Sequence, residues 1–195
     1  PSNLFTYEWA FEHCQLIIGG NWDYGVGCRT FPRDHYYWDQ LGPERLRCLR
    51  ELPQETEFWF SGRRFRLFHG RPVMPELYTV ADDRELLQSF LVDEEGVPYD
   101  GLLYADAHRQ AMRTLSPGII VNTGSVGNAM GVPKCCYALL EGEEGRTPAP
   151  LEVRLRQLDY DREQAVRDAE AADGLPIKEA YIREIQTGIY SRSHG

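Results

Sequence analysis

The segment Gly101–Gly127, GLLYADAHRQAMRTLSPGIIVNTGSVG, contains the pattern that decides the fold. Two short apolar runs, at 102–104 and 119–121, are each followed directly by small and polar residues. This pattern is typical of buried strands that end in loops. Because ligands of α/β proteins bind at the carboxyl ends of strands, we expect the polar side chains after both runs to lie on one edge of a sheet.

Polar side chains also follow two other predicted strands, at 15–19 and 65–68. If these loops converge with the loop after 102–104, they bring together a carboxamide oxygen, two imidazoles and a carboxylate. Such a mixed nitrogen and oxygen set is typical of sites for Mn, Fe or Zn and suits Mg less well. The sequence therefore predicts a metal and phosphate site whose candidate ligands are Asn21, His69, Asp106 and His108.

Length and composition limit the class of protein. The chain has 195 residues, 42% of them hydrophobic, which is enough to bury one core, so we predict a single domain over 1–195. The net charge of −9 gives no general attraction to a nucleic acid polymer or an anionic membrane. No apolar run approaches the roughly 20 residues of a membrane span. Five cysteines without Cys-x-x-Cys spacing indicate reduced thiols, and we predict a cytoplasmic protein.

The remaining periodicities predict the elements around the site. A buried strand at 15–19 needs neighbours on both sides, and only one helix precedes it, so we expect the chain to begin inside a domain. The segment 33–38, rich in aromatic residues, is predicted to be a loop. We predict helices at 4–13, 43–52, 81–91, 161–172 and 177–187, and β-hairpins over 55–68 and 134–160.

The segments GGNWD at 19–23, RLFHG at 66–70, YADAHRQ at 104–110 and IIVNTGSVG at 119–127 follow one another along the chain. In this order they resemble the motifs of the calcineurin-like metallophosphoesterases, in particular the small bacterial and archaeal phosphodiesterase branch. The resemblance covers essentially all 195 residues. GGNWD at 19–23 resembles the family's Gly-Asn-His/Cys-Asp loop, RLFHG at 66–70 resembles its His-Gly loop, YADAHRQ at 104–110 stands where the family has Gly-His-Thr-His, and IIVNTGSVG at 119–127 resembles its Val-Asn-Pro-Gly-Ser-Val-Gly.

The resemblance implies a mixed α/β fold, namely a four-layer αββα sandwich of two sheets packed face to face with helices outside. Residues 151–195 would form its closing strand and C-terminal helices. It also implies that an Asp-X-His loop and a Gly-Asp loop precede Pro1, on first strands that are absent from this chain.

The resemblance assigns metal ligands residue by residue. Asn21 and His69 would ligate the second of two divalent ions, and His108 would ligate the first. Asp106 occupies the position of a family histidine that ligates the second ion. A carboxylate there favours a harder ion, although it is shorter than an imidazole. The ions are predicted to be Mn, with Fe, Ni, Zn and Mg as alternatives.

The implied reaction is hydrolysis of a small or nucleotide-like phosphomonoester or phosphodiester by a metal-activated hydroxide. Asn21 and His69 would be the catalytic residues. Asn21 would also contact the phosphate, together with Trp22, which stands where other members place a phosphate-contacting histidine. Asp23 is predicted to hold its loop by hydrogen bonds rather than to touch metal. Trp22, Tyr24 and Tyr104 are a candidate aromatic wall for the leaving group.

Structural roles remain open for the same residues. Asn21 follows two glycines and is a common turn residue, His69 is also compatible with a structural histidine, and Asp106 with a solvated loop acid. The alternative function is a weakly active or inactive relative that binds or regulates, since Asp106 replaces a histidine. The sequence leaves open whether the protein forms homo-oligomers.

Overall fold

A computed structural model describes residues 3–192. These residues form six α-helices, seven β-strands and one short 3-10 helix at 32–34. The helices are α1 (Asn3–His13), α2 (Asn21–Gly27), α3 (His35–Glu51), α4 (Arg84–Ser89), α5 (Arg162–Ala171) and α6 (Lys178–Thr187). The strands are β1 (Glu55–Phe60), β2 (Arg63–Phe68), β3 (Gly101–Tyr104), β4 (Ala111–Thr114), β5 (Ile119–Asn122), β6 (Cys135–Glu141) and β7 (Glu152–Leu158).

The five strands β1 to β5 form one mixed sheet in the order β1-β2-β3-β5-β4. The central strands β2, β3 and β5 run parallel, whereas β1 and β4 are antiparallel to their neighbours. The two apolar runs of the sequence are therefore adjacent parallel strands, as predicted. Because β2, β3 and β5 point the same way, the residues that follow them meet at one edge of the sheet.

Alternating side chains of the central strands pack against different layers. Leu102 and Tyr104 face a cluster that includes Leu87 of α4 and Phe68 of β2. Leu103 of β3 faces the opposite side, where hydrophobic residues of the antiparallel β6–β7 hairpin cover the sheet. The mixed α/β class and the contact between two sheets are thus confirmed. Residues 193–195 of the predicted C-terminal segment lie outside the described range.

The predicted strand at 15–19 is wrong. Residues 14–20 are irregular, and the side chain of Leu16 is half exposed. The backbone N–H of Gly19 donates to the carbonyl of Pro53 at 2.9 Å, but none of the described strands pairs with this segment. Without a ladder of partners on either side, an apolar run has no reason to become a strand.

The loop predicted for GGNWDYG at 19–25 is also wrong from Asn21 onward, because residues 21–27 form helix α2. A carboxylate oxygen of Asp23 accepts a hydrogen bond from the N–H of Gly20 at 2.8 Å and fixes the first turn. The helix contains Gly27, which a propensity argument would disfavour. A Cβ at Gly27 would lie 2.6 Å from the backbone nitrogen of Arg50, so this glycine permits the close packing of α2 on α3.

The aromatic segment predicted as a loop at 33–38 instead begins helix α3 at His35. The helix is interrupted at Gly42, whose φ of 72° is left-handed, and Pro43 then starts the part that the sequence predicted. Tyr37 and Trp38 pack against an apolar cluster formed by Val26, Leu41, Leu46 and Leu49.

The other predicted elements are confirmed with shifted ends. The helix predicted at 81–91 is shorter in the structure, where it is α4. It begins at Arg84 because the side chain of Asp83 accepts hydrogen bonds from the N–H groups of Glu85 and Leu86. No helix in the described part of the chain has both the length and the apolar character needed to cross a lipid bilayer.

Candidate metal and phosphate site

A cavity of about 910 Å³ opens at the carboxyl edge of the sheet. All four predicted ligands line it, although they come from three separate segments: Asn21 from the first turn of α2, His69 from the end of β2, and Asp106 and His108 from the loop after β3. The parallel arrangement of β2 and β3 is what brings the last three residues together.

His69 directly follows β2 and remains tied to the neighbouring strand. Its carbonyl accepts a hydrogen bond from the N–H of Ala105 at 2.8 Å. The imidazole ring packs on Gly20, where a Cβ would lie 3.0 Å from the ring carbon Cγ. Burial lowers the pKa of His69 below its usual range, against the opposing charges of Asp106 and Asp23. The ring is therefore neutral at pH 7.

His108 has a defined tautomer. Its Nδ1 lies 2.9 Å from the carbonyl oxygen of Asn128, which can only accept a hydrogen bond, so Nδ1 carries the proton. Burial lowers the pKa of His108, and this effect outweighs the hydrogen bond to Asn128. In the neutral ring the lone pair then lies on Nε2, which is the arrangement that metal-binding histidines use.

The loop after β3 has an unusual backbone. Asp106 and His108 have φ values of 26° and 53°, in the left-handed region, while Ala107 between them is buried. Such conformations cost roughly 1–3 kcal/mol each for residues other than glycine, and they are frequent at functional sites. Asn122 at the end of β5 is fully buried and stabilises this loop, since its Nδ2 donates to the carbonyl of Ala105 at 2.6 Å.

Asp106 is already bound by Arg71. Its Oδ2 accepts from the backbone N–H and the Nε of Arg71 at 3.0 and 2.7 Å, and its Oδ1 accepts from Nη2 at 2.8 Å. Burial by itself would raise the pKa of the Asp106 carboxyl, but the hydrogen bonds from Arg71 outweigh burial and lower it. The Nε2 of His69 lies 3.7 Å from Oδ1, beyond a normal hydrogen bond.

The first turn of α2 carries Asn21, Trp22 and Asp23. Asn21 and Trp22 line the cavity, and 37% of Trp22 is exposed. The Trp22 ring makes an edge contact with Tyr37 at 6.1 Å, and the guanidinium of Arg192 lies 5.3 Å from its centre. The carboxylate of Asp23 is engaged by Gly20.

The aromatic wall differs from the predicted one. Tyr104 is 1% exposed, and its hydroxyl donates to the carbonyl of Tyr78 at 3.2 Å, so it belongs to the core. Tyr24 is exposed but does not line the cavity. The aromatic side chains that line it are those of Tyr7, Phe11, Trp22, Tyr37, Tyr181 and Tyr190.

Among the cavity residues that were not predicted from the sequence are Arg71, Asn128 and Arg192. The fully buried carboxylate of Glu184 in α6 accepts from Nδ2 of Asn128 at 2.8 Å and from Nε of Arg192 at 3.0 Å. Asn128 and Glu184 are 56 residues apart and Glu184 and Arg192 are eight apart, so neither contact falls within one predicted element. Arg71 is different, because it directly follows His69-Gly70 at a strand end, where polar residues were expected.

The donor set fits one divalent ion better than two. Two neutral imidazoles and the Asn21 amide are the donors that remain for an ion, whereas the carboxylates of Asp23 and Asp106 are engaged by other groups. Within residues 3–192, no three His, Cys, Asp or Glu side chains are arranged to hold a metal ion. Any centre of two ions would therefore need ligands beyond those that the described residues offer.

No protein-family model and no curated protein matches the chain. Solved structures that share its fold include the following two. A hypothetical protein from Pyrococcus horikoshii is 19% identical with a TM-score of 0.70, and the match covers 95% of this chain and 78% of that one. A metallophosphoesterase from Sphaerobacter thermophilus is 18% identical with a TM-score of 0.66, and the match covers 94% and 81%. The chain therefore has the metallophosphoesterase fold that its motif order predicts.

Proposed function

We propose that the protein is a metal-dependent phosphoesterase that hydrolyses a phosphodiester or phosphomonoester with a small or nucleotide-like alcohol group. The observation that carries this proposal is that Asn21, His69 and His108 line one cavity at the carboxyl edge of the sheet. Two neutral imidazoles and an amide oxygen suit Mn, Fe, Ni or Zn better than Mg. Mn is the ion we propose first.

Each residue has a role that follows from its contacts. The hydrogen bond from Nδ1 to Asn128 orients Nε2 of His108, and the packing on Gly20 fixes the ring of His69. When bound between them, a divalent ion would supply positive charge for the phosphate oxygens and lower the pKa of water. The Asn21 amide can donate to a phosphoryl oxygen and orient it. Trp22 offers an apolar face to the ester group.

One observation favours a second candidate function, a binding or regulatory protein with little or no turnover. Among the four predicted ligands, Asp106 has both side-chain oxygens engaged in hydrogen bonds, here with Arg71. If phosphoester hydrolysis in this fold needs a second ion at that position, this chain would retain ligand binding without the reaction.

The test uses full-length protein loaded with Mn²⁺ and assayed with bis-p-nitrophenyl phosphate and p-nitrophenyl phosphate. We expect hydrolysis with both or one of these esters, and a fall in kcat/KM of at least about 100-fold in His69→Ala and His108→Ala, because loss of a ligand costs more than the 10- to 100-fold of its outer partners. His35→Ala is the control, since His35 is exposed outside the cavity.

A different result would contradict the proposal. If the protein hydrolyses neither ester with Mn, Ni, Zn or Mg, the phosphoesterase proposal fails. Mn²⁺ binding that is lost in His69→Ala and kept in His35→Ala, without any hydrolysis, would favour the binding or regulatory function instead.

A further inference from the structure

The Arg71–Asp106 pair occupies the part of the cavity where the resemblance implies ligation of the second ion. The side chain of Asp106 is only 6% exposed, whereas that of Arg71 is 41% exposed. Three hydrogen bonds join the two residues, and one of them involves the backbone N–H of Arg71. The carboxylate is thus largely covered, whereas the guanidinium remains partly exposed to the cavity.

The backbone holds the pair in place. Gly70 has a φ of 146°, which is left-handed, and a Cβ there would lie 2.4 Å from the Cβ of Asp106. The loop after β2 therefore closes directly on Asp106. Three hydrogen bonds from Arg71 occupy three of the roughly four lone pairs of the Asp106 carboxylate, and an ion bound at the remaining one would lie next to the guanidinium.

Arg71 retains donors for a ligand. A guanidinium has five N–H groups, and Asp106 takes one from Nε and one from Nη2. Arg109 and Arg192 also line the cavity, so that three arginines accompany two aspartates, Asp23 and Asp106. This composition differs from that of the whole chain, whose net charge is −9. Because Arg192 is paired with the buried carboxylate of Glu184, an anion that enters the cavity would meet the donors that Arg71 retains.

We infer that Arg71 binds the phosphoryl oxygens of the ligand and that Asp106 is its counter-ion rather than a metal ligand. The ligand class is a phosphate ester or inorganic phosphate, since a planar guanidinium matches two oxygens of such a group in a fork. The inference deepens the proposed function and rests on it for the identity of the anion. In this arrangement the positive charge of Arg71 takes the place of the charge that a second metal ion would supply.

The test measures two binding reactions on the full-length protein by calorimetry: inorganic phosphate with and without Mn²⁺, and Mn²⁺ alone. The variants are Arg71→Ala, Arg71→Lys and Asp106→Ala. The matched control is Arg156→Ala, which removes the same charge from the exposed strand β7 outside the cavity. Circular dichroism checks that each variant is folded. Arg71→Lys retains the positive charge and serves as the second variant if Arg71→Ala perturbs the loop.

We expect phosphate affinity to fall at least about tenfold in Arg71→Ala and by a smaller factor in Arg71→Lys, because an ammonium lacks the fork geometry. Arg156→Ala should bind phosphate like the unmodified protein. Asp106→Ala should bind the same number of Mn²⁺ equivalents as the unmodified protein, whereas His108→Ala should bind fewer.

The inference is overturned if the unmodified protein binds no phosphate, if Arg71→Ala binds it as Arg156→Ala does, or if Asp106→Ala loses a Mn²⁺ equivalent. Its failure is distinct from that of the proposed function. Phosphate binding that depends on Arg71, without ester hydrolysis, would contradict only the proposed enzymatic function. Ester hydrolysis together with phosphate binding that is unchanged in Arg71→Ala would contradict only this inference.

Discussion

His108 and Asp106 lie two residues apart in one loop, share left-handed backbone conformations and line the same cavity, yet they differ in what their polar atoms already contact. Asn128 takes one nitrogen of His108 and leaves the other. Arg71 donates three hydrogen bonds to Asp106 and leaves about one of the roughly four lone pairs of its carboxylate. The comparison teaches that the capacity to bind a metal depends on the lone pairs that neighbours leave, and not on residue type alone.

The strongest way to break this comparison is to remove the partner of Asp106. Arg71→Ala leaves a carboxylate of 6% exposure without its guanidinium, so the free energy of unfolding should fall by roughly 2 kcal/mol. Urea unfolding at pH 7 measures this change. The exposed control Arg156→Ala should stay within about 0.5 kcal/mol of the unmodified protein. An Arg71→Ala variant as stable as that control would mean that the pair contributes little.

The pH dependence of stability separates the two residue types. In metal-free protein the pKa values of His69 and His108 are lowered from 6.5, so the unfolded chain takes up protons first and stability falls as pH drops below 6.5. The pKa of Asp106 is lowered from 3.8, so its contribution is present above pH 3.8 and is lost below it.

Melting temperatures measured between pH 3 and 8 report both decreases in stability, the one below pH 6.5 and the one below pH 3.8. The double variant His69→Ala, His108→Ala should lack part of the decrease below pH 6.5, and Asp106→Asn should lack part of the decrease at the acid end. If the double histidine variant shows the same profile as the unmodified protein, the two rings are not buried and neutral as described.

Trp22 extends the comparison to a cavity residue that binds neither metal nor counter-ion. Trp22→Ala should raise KM for the aryl ester by about 3- to 10-fold with kcat nearly unchanged, because an aromatic contact is worth about 1 kcal/mol. Tyr24→Ala is the control, since Tyr24 is exposed two residues away and does not line the cavity. Equal KM values for the two variants would remove Trp22 from the substrate site.

The sequence predicts best the elements whose signals are local. The apolar runs of β3 and β5 are buried strands because both faces of the sheet are covered, and Gly188 ends α6 with a left-handed φ of 68°, as predicted. Helix α2 was not predicted because glycine disfavours a helix. Gly27 lies in this helix because the backbone of Arg50 in α3 approaches too closely for a side chain at that position.

The site was predictable to a similar extent. The ends of β2 and β3 indicated where His69 and His108 would meet, whereas Asn21 lines the same cavity from helix α2 although the strand predicted before it is wrong. The engagement of Asp106 was not predictable, because Arg71 is 35 residues away and only the paired loops after β2 and β3 bring them together. Contacts between segments decide which candidate ligand keeps its lone pairs.

Anomalous diffraction from crystals of the full-length protein soaked in Mn²⁺ tests the central claim most directly. We expect a peak about 2 Å from a nitrogen of both His69 and His108, near the Asn21 amide, with the carboxylate of Asp106 still on Arg71. A cavity without a peak at the two imidazoles, or a peak bound by Asp106 with Arg71 displaced, would contradict the claim.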